Sequence, residues 1–317
     1  MGVTDEREPD NKGPNREGFD ASVSALHNET SGLSDDYADR FSGVGRVYGY
    51  EGLERLARAH ACVIGIGGVG TWSAEALVRS GVGEITLIDL DEICITNINR
   101  QLHALTSTVG QAKVEAMAQR LLDINPSVIV HAQQQFFTPR TEEDILGPIS
   151  ARSHFDVVID AIDHTDRKSL LIEACLRRDL PIVTCGAAGG RRTPQLVTHD
   201  DLSRSTHDGL LRRVKRALRK SDVLSERHER EAWGVSAVFS TERPIYPDGN
   251  GGVCHAAPSR EALRLDCAVG FGSLSFITGT FGFVAAGAAI DLIMRGVSSM
   301  TQGSSSSPHR LTHASEA

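Results

Sequence analysis

The 317 residues carry 41 Asp and Glu against 33 Lys and Arg, a formal charge of −8, and 40% of them are hydrophobic. That balance supports a substantial core and excludes a fibrous or wholly disordered chain, and the acidic excess argues against general nucleic-acid affinity while leaving room for a local basic patch. Six cysteines, at 62, 94, 175, 185, 254 and 267, form no CxxC pair, which removes the usual spacing of a cysteine zinc site. With no apolar leader in the first residues, they are expected to be thiols of a reducing, cytoplasmic setting.

Met1 to about Asp36 is polar and residues 297–317 include a serine run without periodicity, so residues 1–36 and 297–317 read as disordered tails. Between Asp39 and Gly49 lie Arg40 and Arg46, which read either as a solvated arm or as groups reaching a neighbouring subunit. A helix is expected from about Tyr50 to His60, with Leu53, Leu56 and Ala57 on one side.

The segment Ala59 to Gln101 organises the rest. An apolar run feeds the turn Gly65-Ile66-Gly67-Gly68-Val69-Gly70, an apolar-periodic helix follows, and a second apolar run closes on Asp89. Strand, glycine turn, helix and strand in about 30 residues place phosphate oxygens on the positive end of a helix. The same fingerprint serves NAD, so the turn alone leaves a dehydrogenase open. The continuation favours a cleaved triphosphate: Asp91, Asn97, Arg100, Gln101 and Lys113 follow, and cations there suit a reaction in which charge develops on phosphate oxygens.

Lys113 to Ile124 reads as a helix stopped by Asn125-Pro126, and Val128 to Val130 restarts a strand. After a linker with a short helix, residues 155–163 read as a buried parallel strand ending at Asp160 and Asp163. Two carboxylates at that end suit Mg²⁺, with helix capping as the plain alternative for Asp160 in particular. Leu180 to Thr184 is a further strand. The fold class is then α/β, a Rossmann-like, mostly parallel sheet with helices on both faces.

Within a C-terminal extension, an insertion at about 204–230 carries a helix with Leu210, Leu211, Val214 and Leu218 on one face. Arg212, Arg213, Lys215, Arg216, Arg219 and Lys220 surround the rest, six basic residues in nine, and point to RNA rather than to a merely solvated surface. Gly234 to Tyr246 reads as a late strand and turn. Residues 267–290 carry no charge and are long enough to cross a bilayer, but their glycines favour a buried helix over membrane contact.

These letters together resemble the ThiF/MoeB/ubiquitin-activating superfamily, and within it the tRNA threonylcarbamoyladenosine dehydratase branch: GIGGVGTWSAEALVRSGVGEITLIDLDEICITNINRQLHAL, VGQAKVEAMAQRL, VVIDAID, the RPIYP turn and DCAVGFGS with FGFVA. The resemblance implies an adenylating domain over residues 37–296 that uses ATP and Mg²⁺ to activate the threonyl carboxylate of N6-threonylcarbamoyladenosine in tRNA. It also implies a homodimer. Carried over, Asp89 holds the ribose, Asn97, Arg100 and Lys113 the phosphates, Asp163 the metal, and Arg46 reaches the partner's triphosphate. Gly65, Gly67, Gly68 and Gly70 line the nucleotide, with Asp91 and Gln101 beside it. The rival within the superfamily activates the C-terminus of a ubiquitin-like or sulfur-carrier protein, and the missing CxxC pairs weaken it. Relatives can carry a cysteine where this chain has Ser236-Ala237, which leaves a sulfur-transfer partner without a thiol there; Cys254 and Cys267 read as packing residues.

Overall fold

The computed structural model describes residues 32–151, 153–224, 232–256 and 272–295. The 297–317 tail, all but the last five residues of the 1–36 tail, and Cys267 lie outside the described residues.

The first element, α1 (Asp35–Arg58), corrects the expected arm, since the stretch before Tyr50 is helical and so are Asp35 and Asp36, assigned above to the tail. The Ser34 side chain accepts from the Tyr37 amide at 3.3 Å, and the two aspartates sit in the first turn, where the helix dipole favours them. Gly49, at φ 76°, breaks the helix into two arms, and Tyr37 and Phe41 of the first pack with Leu53 of the second. The Tyr37 hydroxyl donates to the Gly81 carbonyl, fastening α1 to the domain. A polar composition hid one apolar stripe.

Seven strands form one sheet: β1 (His60–Ile64), β2 (Glu84–Ile88), β3 (Ile129–Gln133), β4 (Val157–Asp160), β5 (Ile182–Cys185), β6 (Val197–Asp201) and β7 (Ser236–Ser240). Their order is β3-β2-β1-β4-β5-β7-β6, parallel throughout except for β6, which runs against β7. β1, β4 and β5 are buried at every position, as strands covered on both faces require. Alternation along β1 sends Ala61 and Val63 to one core and Cys62 and Ile64 to the other.

The first core is roofed by α2 (Gly70–Arg79), α3 (Lys113–Ile124) and, out of chain order, the last helix of the fold. The second is roofed by α4 (Glu142–Leu146), α5 (Thr165–Arg177) and α6 (Gly209–Leu218). β6, with the letters VTHDD, was not expected: as the edge of the sheet it needs little apolar surface. Because β7 inserts between β5 and β6, the basic helix α6 is part of the sheet's own connection. A two-stranded hairpin, β8 (Tyr246–Pro247) with β9 (Val253–Cys254), follows; Cys254 there is half-exposed and its thiol faces the Ala256 carbonyl, so it is no core packing residue.

The last helix, α7 (Ser275–Arg295), is long and apolar enough to cross a membrane, yet 61% of its apolar window is buried inside the fold. Ile277, Phe281, Ala285, Ala289 and Ile293 enter the first core, as the buried-helix reading expects. Close approach to α2 depends on Gly282: a Cβ there would lie 2.8 Å from the Val69 carbonyl oxygen and 2.9 Å from the Ser73 amide nitrogen. Backbone cannot yield as a flexible side chain can. Gly282→Ala is therefore expected to lower unfolding free energy by about 1–3 kcal/mol in a denaturant titration, while Gly287→Ala, which meets nothing within 4 Å, should leave it unchanged or slightly raised.

Candidate nucleotide site

β1 and β4 are adjacent in the sheet although β2 and β3 lie on the far side of β1, so the chain reverses direction between them. Ligands of open α/β sheets bind at the carboxyl ends of strands at such a point. The glycine turn lies there. Gly65 holds φ at 95°, and a Cβ on it would come 2.8 Å from the Ala161 carbonyl oxygen just past β4. A Cβ on Gly70 would collide with the Gly65 carbonyl oxygen. Both glycines let α2 start hard against β1, with the orphan amides of its first turn aimed into the crevice. Gly67 and Gly68 face the segment after β2, approached by Gln101 Nε2 and Arg100 Cγ respectively.

Asp89 ties this turn to the second strand. Its Oδ2 accepts from the Ile66 amide at 2.7 Å and its Oδ1 from the Asp91 amide at 2.9 Å. Lys113, the first residue of α3, donates to Asp91 Oδ2 at 2.8 Å and stands 3.9 Å from Asp89 Oδ1. Lys113 is only 6% exposed. Burial raises the Asp89 carboxyl above its usual range, and Lys113 and the two backbone donors pull the other way. Each carboxylate oxygen keeps lone-pair capacity for a sugar hydroxyl.

The segment Cys94 to His103 closes the crevice. Asn97 Oδ1 accepts from the Cys94 amide at 3.0 Å and shapes a single 3-10 turn, Ile95–Asn97. Arg100 follows; Trp72 Nε1 and Thr278 Oγ1 donate to its carbonyl at 3.3 and 3.0 Å, so helices α2 and α7 hold its backbone. Its guanidinium folds back onto the Thr96 carbonyl and Asn99 Oδ1. Gln101 is buried and its Oε1 has no hydrogen-bond partner.

His103 was not foreseen from the sequence. Its Nε2 lies 3.0 Å from the carbonyl oxygen of Ile66, inside the turn, and its buried Nδ1 has no partner. Burial, with Lys113 adding to it, pushes the imidazole down to about 4, so the ring is neutral and donates from Nε2. Only its position three residues beyond Arg100 could have signalled it. Two unpaired buried acceptors beside the turn, Gln101 Oε1 and His103 Nδ1, are what a hydroxyl-bearing ligand would satisfy.

At the end of β4 the two aspartates part. Asp160 is fully buried, 2.8 Å from Lys168 Nζ, and accepts from Thr184 Oγ1 at 2.7 Å and the Ile162 amide at 3.1 Å. It does not cap α5, whose N-cap is His164; its carboxylate is taken up by Lys168, Thr184 and the Ile162 amide. Its place was legible as a strand end, but its partner lies eight residues on along a helix. Asp163 is exposed two residues beyond Ala161, the residue that packs on Gly65.

The tRNA candidates divide similarly. Asp208 caps α6, accepting from the Leu211 amide at 2.8 Å, and its other oxygen accepts from Ala187 at the end of β5. The basic helix therefore starts at the carboxyl edge of the sheet. Arg212, Arg213 and Arg216 are exposed, Arg213 donating to Thr165 Oγ1. Lys215 turns inward to the carbonyls of Ser203 and Ser205 at 3.2 and 2.8 Å, and Arg219 lies over the Trp233 ring. Those two anchor the helix. Arg46 is exposed on α1, and its side chain makes no hydrogen bond or ion pair to a site residue among the described residues. Ala237 is wholly buried in β7 beside Thr184.

The chain resembles known proteins along most of its length. It is 44% identical over 263 residues to tRNA threonylcarbamoyladenosine dehydratase of Escherichia coli K12, covering 83% of this chain and 96% of that one. A crystal structure of the E. coli tRNA N6-threonylcarbamoyladenosine dehydratase in complex with ATP matches with a TM-score of 0.74 and 38% identity over 86% of this chain and all of that one. A second, in complex with AMP, matches with 0.73 and 39% over 85% of this chain and all of that one. The ThiF family model matches residues 42–314. On the fold, the glycine turn and these likenesses, the chain belongs to the ThiF family.

Proposed function

We propose that the protein is an ATP-dependent tRNA threonylcarbamoyladenosine dehydratase, which cyclises the threonylcarbamoyl side chain of N6-threonylcarbamoyladenosine through an acyl-adenylate. The carrying observation is the buried Lys113, bonded to the aspartates at the glycine turn, in a chain that spans nearly the whole length of a dehydratase it resembles.

The chemistry follows from the positions. The threonyl carboxylate is a poor electrophile, and transfer of its oxygen to the α-phosphorus of ATP converts it into a mixed anhydride with loss of pyrophosphate. A heteroatom of the carbamoyl group then attacks the acyl carbon, AMP leaves with the transferred oxygen, and the ring has lost the elements of water. Negative charge grows on the α-phosphate in the first step, and the first amides of α2, Lys113 and an Arg100 released from Thr96 and Asn99 would be the donors that meet it. Asp89 and the Gln101 and His103 acceptors suit the ribose. The exposed carboxylate of Asp163, just past β4, supports a role in holding Mg²⁺, which keeps several waters and needs one or two protein oxygens; bound there it would screen the triphosphate charge.

A homodimer belongs to the same reading. Val47, Tyr48 and Phe283 are exposed around an apolar groove of about 310 Å³ between α1, α2 and α7, and Arg46 stands beside it. A partner chain seated on that groove would set Arg46 at the subunit boundary, where it could serve the other subunit. A cytoplasmic setting is supported by the five described cysteines, all free thiols. The buried Ala237 supports a reaction without a covalent sulfur step at that point.

Purified protein with ATP is expected to release AMP and pyrophosphate only when threonylcarbamoylated tRNA is added; release driven by a small protein with a Gly-Gly tail would favour carrier-protein activation instead. Lys113→Met and Arg100→Ala should each lower kcat by about 10²–10³-fold. Reversing Arg212, Arg213 and Arg216 to Glu should weaken tRNA binding at least tenfold with ATP affinity retained. It should also flatten the salt dependence by about 0.7–0.9 in slope for each phosphate left without its cation; an unchanged slope would remove α6 from the RNA surface. Mixing inactive Arg46→Ala and Arg100→Ala chains should restore one working site per heterodimer, and no recovery would place Arg46 outside the reaction.

A further inference from the structure

The opposite end of the sheet carries a second cluster of chemistry-bearing side chains, unrelated to the nucleotide crevice. His60 opens β1, Glu84 opens β2, and the register pairs them; Thr86 of β2 pairs in turn with His131 of β3. In a parallel sheet registered partners share a face, and residues two apart share it too. All four side chains therefore project from one face. Its roof does not extend over β2 and β3 at this end, so Glu84 and His131 meet solvent while His60 is buried.

One carboxylate oxygen is flanked by two imidazoles. Glu84 Oε1 lies 2.8 Å from His131 Nε2 and 3.5 Å from His60 Nδ1, and one ligand atom from each of the three residues falls within 4.8 Å of the others. A surface ion pair between Glu84 and His131 needs no third, buried ring. His60 is held in place from behind: its Nε2 is 2.9 Å from Thr86 Oγ1, and its ring packs edge-on to Phe155 with centroids 4.6 Å apart. With the proton on Nε2 shared with Thr86, Nδ1 turns a lone pair toward the glutamate, and two acceptors then face each other. A hydrogen bond from the far nitrogen of a ligating histidine is the outer-shell contact that fixes its tautomer and aim at metal sites.

We propose that His60, Glu84 and His131 form a binding site for a divalent transition-metal ion, zinc fitting best, that clasps the amino-terminal ends of β1, β2 and β3. Two imidazoles and a carboxylate are a borderline donor set that suits zinc and its neighbours and not Mg²⁺ or Ca²⁺. His154, exposed, lies nearby, its ring centroid 5.5 Å from that of His60. The site is separate from the nucleotide crevice: β1 puts about 13 Å of strand, at roughly 3.3 Å per residue, between His60 and Ile64. Its ion would stabilise the fold by binding the folded state alone.

The test uses the full chain, stripped with chelator, free of nucleotide and of any affinity tag. Zinc uptake is measured by equilibrium dialysis and Tm with and without added zinc. One equivalent should bind and raise Tm, and cobalt in its place should develop visible d–d absorption. His131→Gln and Glu84→Gln lie at the exposed side and should fold, which retained ATP binding checks; each should weaken that equivalent at least tenfold and abolish its Tm rise and cobalt spectrum. Absence of zinc uptake by the unmodified chain, or uptake of the same affinity in both variants, would overturn the proposal.

Discussion

The carboxylate of Asp89 is the joint on which the site depends. It closes the second strand, accepts from an amide inside the glycine turn of the first, and stands beside the ammonium of Lys113 at the start of α3. Three elements distant in sequence are thereby brought to one point, and a buried cation is held beside the glycine turn. A buried ammonium without a partner is costly; Asp89 and Asp91 give Lys113 the carboxylates that offset its burial. Had Lys113 faced solvent away from the turn, the fold would equally have suited a redox dinucleotide.

Around that joint the fold works as a set of clamps. Trp72 of α2 and Thr278 of α7 both hold the Arg100 carbonyl, and Asn99 donates to the Ser273 carbonyl at 2.8 Å just ahead of α7. The last helix thus reaches from the core to the rim of the crevice. This accounts for a segment apolar enough to suit a bilayer: it packs on α2 and on the sheet, and its glycine at 282 permits the contact with α2. Of the phenylalanines left exposed on its outer side, 276 and 283, the second lines the groove proposed for a partner chain.

Much of this was legible in the letters because period and punctuation agree with the final environment. The glycine turn, the apolar runs that became β1, β2, β4 and β5, and the cations after Asp91 needed no long-range information. What the letters hid depends on partners far apart in the chain. Asp160 reads as a candidate metal ligand until Lys168 is seen beneath it, and Lys215 reads as one more exposed cation until the carbonyls of 203 and 205 are found around it. β6 is polar because an edge strand can be, and the first half of α1 read as the end of a tail and an arm because Tyr37 and Phe41 bury a single narrow stripe. His103 is buried, and no periodicity distinguishes it from a core residue.

Central to the proposed reaction is that the turn presents ATP for attack by a carboxylate at the α-phosphorus. The most direct measurement of this follows oxygen: tRNA bearing threonylcarbamoyladenosine with ¹⁸O in the threonyl carboxylate is turned over with unlabelled ATP, and the nucleotide products are weighed by mass spectrometry. AMP carrying one ¹⁸O per cyclised nucleoside is the predicted result. Unlabelled AMP, or ADP together with labelled inorganic phosphate, would contradict it.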